Sequence, residues 1–385
     1  MNAADAMPRT VATTRSLARA ALILIAASLL AAPLAGVARA VVPPGLMITD
    51  PNRPMQPQHA FKCQKQTNKG VAKYLAVWSK TYTKCVDAIA ACVQTKGSDP
   101  ACLIKAADGC NTSIANLGAF DTDKQAGTVL ENIITDFCRS LTLTELFDDE
   151  GGPLFSLITD PCKNRFIQNL ESCIFDESNC AAEKMFHVQM PRARDLLATA
   201  GVTVGNAINS PKSCLPLESG SGALSDAKAG KALLGCQKSA DKAGVSFAAK
   251  ARGALAKCAD AVMTCAQIKR TQKCVDSAAK LCTKQFLTVD DAQQKVQDAV
   301  TKACTKIPPA DLFDVDGGDV GALATVCNGV GVSSLTTVDD YASCVARLER
   351  CQVEESISFT VPRINEFLTA TSQGITLPSA FCPAP

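Results

Sequence analysis

Histidine is nearly missing from this chain: His59 and His187 are the only two among 385 residues. His59 lies in a proline-rich stretch, and the position of His187 is taken by Ser358 in the second half of the sequence. A catalytic histidine present in both halves is therefore excluded. Aromatic residues make up 5% of the chain, so any core must be small and rich in alanine, with crosslinks adding stability that apolar area does not. No two cysteines stand three residues apart, and the closest pairs are seven apart. That spacing argues against zinc ribbons, thioredoxin-like centres and c-type haem, which all need close pairs, and no cofactor is expected. There is also little excess of either charge. The formal net charge is +2, which argues against nucleic acid as a partner, since binding it needs a concentrated surplus of Lys and Arg. Alternating strand patterns are scarce.

Cysteine, by contrast, is abundant. All twenty lie after Ala40, and the first forty residues read as a secretory signal. Arg9, Arg15 and Arg19 precede an apolar run from Ala20 to Val37, and Ala38-Arg39-Ala40 has the small-x-small form of a cleavage site. Pro33 and the many alanines make the run a poor membrane span, so no integral membrane segment is expected after its removal. The mature protein would begin at Val41 and carry a formal charge of −1. An even number of cysteines in an exported chain reads as ten disulfides in the periplasm or outside the cell.

The cysteines form two series, the first at 63, 85, 92, 102, 110, 138, 162, 173, 180 and 214, and the second at 236, 258, 265, 274, 282, 304, 327, 344, 351 and 382. Flanking text agrees between them. Lys62-Cys63-Gln64-Lys65 matches Gly235-Cys236-Gln237-Lys238, Leu146-Phe147-Asp148 matches Leu312-Phe313-Asp314, and Pro191-Arg192 matches Pro362-Arg363. This is the signature of an internal duplication. The expected organisation is a signal over 1–40, a Pro-rich leader over 41–60, a module over 61–215, a Gly/Ser-bearing linker over 216–230 and a second module over 231–385. The expected fold is all-α: two tandem disulfide-rich bundles of about five helices each, joined by a flexible linker.

Val71, Trp78, Cys85 and Cys92 recur every seven residues with Leu75, Tyr82 and Ile89 between them, an apolar stripe along one long helix. Ala251, Cys258 and Cys265 with Ala248, Leu255 and Val262 repeat it. A second helix carries Leu103, Ala106, Cys110, Ile114 and Leu117. The third, after the capping-rich Asp121-Thr122-Asp123, carries Val129, Ile133, Phe137 and Cys138. A fourth holds Cys173 and Cys180, and a fifth starts at Pro191.

Two cysteines seven residues apart on a helix are separated by about 10 Å and cannot bond to each other. Folding the chain back at Lys96-Gly97-Ser98-Asp99-Pro100 nests the pairs Cys85–Cys110 and Cys92–Cys102 about one centre, and Cys258–Cys282 and Cys265–Cys274 share another. An antiparallel hairpin closed by two rungs is predicted in each module. The rival joins Cys85 and Cys92 to Cys173 and Cys180. Cys63, Cys138, Cys162, Cys173, Cys180 and Cys214 then pair within the first module, and Cys236, Cys304, Cys327, Cys344, Cys351 and Cys382 within the second, with connectivity open.

In its hairpin logic this arrangement resembles the twin-cysteine coiled-coil-helix proteins, over some 40 residues per module. The whole module, with its Cys-x6-Cys helix followed by Pro-Arg (Cys173 to Arg192, Cys344 to Arg363), resembles cysteine-rich exported bacterial proteins whose activity is uncharacterised. That resemblance implies compartment and framework but no site residues.

Candidate sites are few. His187 with Glu183 or Asp195 lacks a partnered nucleophile, and a histidine on a helix surface is the expectation. Ser221 sits in linker composition without a nucleophile-elbow setting. The acidic turns Asp148-Asp149-Glu150-Gly151-Gly152 and Asp314-Val315-Asp316-Gly317-Gly318 suggest calcium, but no glutamate closes an EF-hand loop, so solvated turns are expected. Arg192 and Arg363 are expected to pair with a carboxylate, Glu183 or Glu354, inside their own modules. No catalytic, cofactor or metal residue is assigned. The function expected is a non-catalytic exported binding or structural protein with two equivalent halves and an unknown protein or surface ligand as partner. A carrier of lipid or another apolar ligand, or an enzyme, are the alternatives.

Overall fold

The seven-residue stripe builds α1, Gln56–Lys96, in which Val71, Trp78, Cys85, Ile89 and Cys92 are all buried. The computed structural model describes residues 56–118, 125–141, 170–202, 213–216 and 222–382. All regular structure in those residues is helical. Pro57 is tolerated because it sits in the first turn of α1. The helix therefore starts ahead of the expected module boundary at residue 61. Gly97, at φ +59°, lets the chain leave it, and Asp99 caps α2, Pro100–Ala115, by accepting from the Ala101 amide at 3.3 Å. The first half continues with α3, Ala126–Cys138, α4, Leu170–Gln189, and α5, Ala193–Thr199. Arg192 is the N-cap of α5, so that helix begins two residues beyond Pro191.

The second half opens with α6, Ala227–Met263, capped by Asp226 on the Lys228 amide. A π-helical turn, Thr264–Lys269, and a left-handed Arg270 lead to α7, Gln272–Cys304. Next come α8, Pro309–Phe313, a 3-10 turn at Val320–Leu323, α9, Ala324–Gly329, α10, Val338–Thr360, and α11, Ile364–Ala370. A reciprocal Thr337/Asp340 capping box starts α10.

Both hairpins are closed by two rungs: Cys85–Cys110 and Cys92–Cys102 between α1 and α2, and Cys258–Cys282 and Cys265–Cys274 between the α6 side and α7. Cys63–Cys138 and Cys236–Cys304 close the far ends. Cys180–Cys214 and Cys351–Cys382 tie the chain after α5 and α11 back to α4 and α10, and Cys327–Cys344 ties α9 to α10. Cys173 is disulfide-bonded as well. Cys162 lies outside the described residues.

Cys236 and Cys258 are 22 residues apart, and so are Cys282 and Cys304, so two straight antiparallel helices of equal rise satisfy both bridges. In the first half the corresponding spacings are 22 and 28. The surplus of six cannot fit one straight helix, and the chain breaks after α2 and resumes as α3. The buried face of α3 is Leu130, Glu131, Ile134 and Cys138, while Val129 is exposed, which shifts the expected stripe by one residue.

Among the described residues one hydrophobic core takes in side chains of both halves. Helices α1 and α6 pack antiparallel, with Lys65 beside Asp260 at 3.9 Å and Lys238 beside Asp87 at 3.7 Å. Residues 65 and 238 correspond in the cysteine register, as do 87 and 260, so this is one contact made twice about a pseudo-two-fold axis. The expected tether is held in its described part. Gly222 donates its amide to Asp316 at 2.8 Å, Leu224 donates to Gln94 at 3.1 Å, and residues 227–230 already belong to α6.

Candidate functional site

Among the described residues, two surface grooves run along the hairpins. The smaller, about 440 Å³, lies over the Cys85–Cys110 and Cys92–Cys102 rungs, with Lys84, Lys96 and Lys105 on its walls. The larger, about 510 Å³, lies between α6 and α7. Its floor is Ala243, Phe247, Ala292, Val296, Ala299 and Ala303. Its rim carries Lys242 and Lys250 from α6, Lys295 and Lys302 from α7, and Lys306 just beyond it. No acidic residue lines it, and none of the five lysines is ion-paired among the described residues.

The corresponding face of the first half explains why the groove is open. There Gly70 replaces Ala243, and α3 comes so close that a Cβ on Gly70 would stand 2.9 Å from Leu130 Cδ1 and 3.3 Å from Ile133 Cγ2. Leu130, Ile133 and Phe137 stand where the second half has Val296, Ala299 and Ala303. Lys62 lies over the Phe137 ring at 5.0 Å, and its counterpart is Gly235, around which there is open space. Large side chains fill this face in the first half, and small ones leave its counterpart in the second half open. Charge differs as well, since Val77, Val129 and Asp136 occupy the places of Lys250, Lys295 and Lys302.

These lysines carried no sequence motif, yet the spacing 295, 302 and 306, like 242 and 250, places each set on one helix face. The residues singled out from sequence lie elsewhere and hold the structure together. Glu183 is fully buried and accepts from Ser213 Oγ at 3.0 Å, from the Cys214 and Leu215 amides at 2.5 and 3.1 Å, and from Asn179 at 3.2 Å. Burial raises its pKa against the pull of those donors. Glu354 holds the same post in the second half, accepting from the Ser379 amide and hydroxyl at 2.6 and 2.9 Å and from Arg350 at 2.8 Å.

His187 is buried instead of lying on a helix surface, and desolvation lowers its pKa to about 4. Asp195 is buried on α5, and His59 is half-buried on α1. Arg192 is not among the partners of Glu183 in its own half. It crosses to the other, donating to the Asp316, Gly317 and Gly222 carbonyls at 2.5, 3.0 and 2.9 Å. Arg363 bonds Glu366 one turn along its own helix.

The turn at 314–318 is docked at Asp316–Gly318, while Asp314 and Val315 stay exposed as expected of a solvated turn. Asp314 accepts from the Asp316 amide, Asp316 accepts from Gly222, and the Asp316 carbonyl also takes the Gln94 amide group at 2.8 Å. Gly317 and Gly318 press so closely on the Asp311 and Leu312 carbonyls that no Cβ would fit. The turn at 148–152 and Ser221 lie outside the described residues. Among the described residues no cluster of three or more His, Cys, Asp or Glu is placed to hold a metal ion, and no helix is long and apolar enough to cross a membrane. No protein-family model matches this chain, nor does any curated protein or solved structure.

Proposed function

We propose that this chain is an exported, non-catalytic binding protein whose ligand is anionic and partly apolar and sits between α6 and α7. The observation that carries the reading is the α6–α7 groove, an aliphatic floor under a rim of five unpaired lysines. Buried apolar contact supplies affinity and the rim supplies sign selectivity. The signal-like first forty residues and nine described disulfides support export into an oxidising compartment. A non-enzymatic role is supported by the acid–base residues themselves, since Glu183 and Glu354 are consumed by structural donors. The groove occurs in its open form in the second half, so the proposal is of one such site and not of two equivalent ones.

Anilinonaphthalene sulfonate, an anionic aromatic probe, tests this directly. The oxidised protein should enhance its fluorescence saturably, and Ala299→Ile with Ala303→Phe, which restores the first half's filled floor, should abolish the enhancement. Equal binding by that variant, with its helix content unchanged by circular dichroism, would refute the groove as the site.

A further inference from the structure

We propose that the occupant of the α6–α7 groove is an acidic amphipathic helical segment of a partner protein. This rests on the groove being the binding site and adds the class of partner. The lysines are not gathered at one end, as they would be around a single headgroup. Lys242 and Lys250 are separated by about 12 Å along one rim and Lys295 and Lys302 by about 10 Å along the other, with Lys306 past the end. An anionic lipid presents its charge at one point and would leave most of these ammonium groups unmatched. A helix with an apolar stripe flanked by carboxylates meets both rims along their length.

The floor suits the same shape. Ala243, Ala292, Ala299 and Ala303 project little, so a third helix can lie close along the seam between two antiparallel ones. Helix α10 already packs on both α6 and α7. A helix in the groove would complete a bundle around the hairpin. Within the groove itself the charge is of one sign, since Lys302 and Lys306 stand four residues apart and repel each other and no carboxylate is among the lining residues. An acidic partner relieves that repulsion on binding.

The test uses the full oxidised chain and a labelled synthetic peptide of about fourteen residues, long enough to span the groove, with leucines at helical spacing and glutamates on both flanks. Saturable binding that falls with added salt is expected. The double charge reversal Lys250→Glu with Lys295→Glu should weaken it by about tenfold, and Ala299→Ile with Ala303→Phe should weaken it by at least about as much. A peptide with lysine flanks, or with serines replacing the leucines, should not bind. If phosphatidylglycerol vesicles bind and the peptide does not, the occupant is a lipid surface and the proposal is overturned. If anilinonaphthalene sulfonate binds in the groove while the acidic peptide fails, the class of partner is wrong but the site stands. Failure of both overturns the two readings together. Peptide binding that survives both double variants, each shown to be folded by circular dichroism, places the peptide elsewhere and also overturns the proposal.

Discussion

At the scale of single residues, the side chains with chemical potential are spent on holding the chain to itself. Glu183 satisfies the Cys214 backbone amide and shares the Leu215 amide with Ser213 Oγ, and a buried amide left without an acceptor would cost about 1–3 kcal/mol. Where the halves meet, Glu349 is buried and accepts from Gln189, and Asp241 accepts from Thr83 at 2.8 Å. Desolvation raises Glu349 from 4.5 to about 8 and Asp241 from 3.8 to about 7. A carboxyl raised on folding keeps a proton that the unfolded chain releases, so its contribution is complete below the unfolded pKa and is lost as pH rises through 7 and 8. His187, lowered from 6.5 to about 4, acts oppositely, contributing above 6.5 and losing that contribution as pH falls toward 4. Between pH 6.5 and 8 the two carboxyls alone act among these three groups. The melting temperature should therefore fall across that window, and Glu349→Gln with Asp241→Asn should flatten the fall while raising the value at pH 8. Thermal denaturation followed by circular dichroism at a series of pH values reads this; an unchanged slope in the variant would remove these two groups as its cause. At this scale the sequence was least informative. His187 was expected on a surface, because nothing local says that α4 is covered on the side where it sits. Val129 and Leu130 are adjacent and both apolar, so periodicity alone could not choose which faces the core.

The elements were more legible, because cysteine spacing carries geometry. Pairs sharing a midpoint locate the bend of a hairpin, and the rungs fall on those pairs in both halves. The same arithmetic, taken one step further, explains why α7 is a single helix of 33 residues while α2 and α3 are two. Each rung should contribute according to the chain it closes. Cys265–Cys274 spans 9 residues, worth about 2.5 kcal/mol by loop entropy. Cys236–Cys304 spans 68, and with the inner rungs intact it still closes a long loop, worth about 4 kcal/mol. Replacing both cysteines of Cys236–Cys304 by alanine should lower stability more than the same replacement at Cys265–Cys274, as measured by guanidinium unfolding of each variant. The reverse order would mean that strain or residual structure in the unfolded chain, not loop length, governs the ladder.

For the molecule as a whole, composition said least about how the halves meet. A run of Gly and Ser between the halves reads as a tether, yet the relation between the halves is set by contacts more than a hundred residues apart in sequence. Arg252, buried, crosses to Asn68 Oδ1 at 2.7 Å while also donating within its own half to Thr360 Oγ1 at 3.0 Å and to Ser356 Oγ. Tyr341 donates to the Gln189 carbonyl at 3.1 Å, and Arg192 spans to the 314–318 turn. No periodicity announces such pairs. The pseudo-two-fold packing of α1 on α6 is the geometry of a symmetric dimer formed within one chain, and each of the nine described disulfides stays inside its own half. The halves should therefore hold together without a covalent link. A protease site inserted within residues 217–221 and cleaved in the oxidised protein should give two fragments that elute as one species in size exclusion and separate only in denaturant. Replacing Arg252 by alanine in the cleaved protein removes donors from Asn68, Ser356 and Thr360 and leaves a buried void, and it should shift dissociation to markedly lower denaturant. Fragments that part spontaneously under native conditions would mean that the connecting chain, and not the shared core, joins the halves.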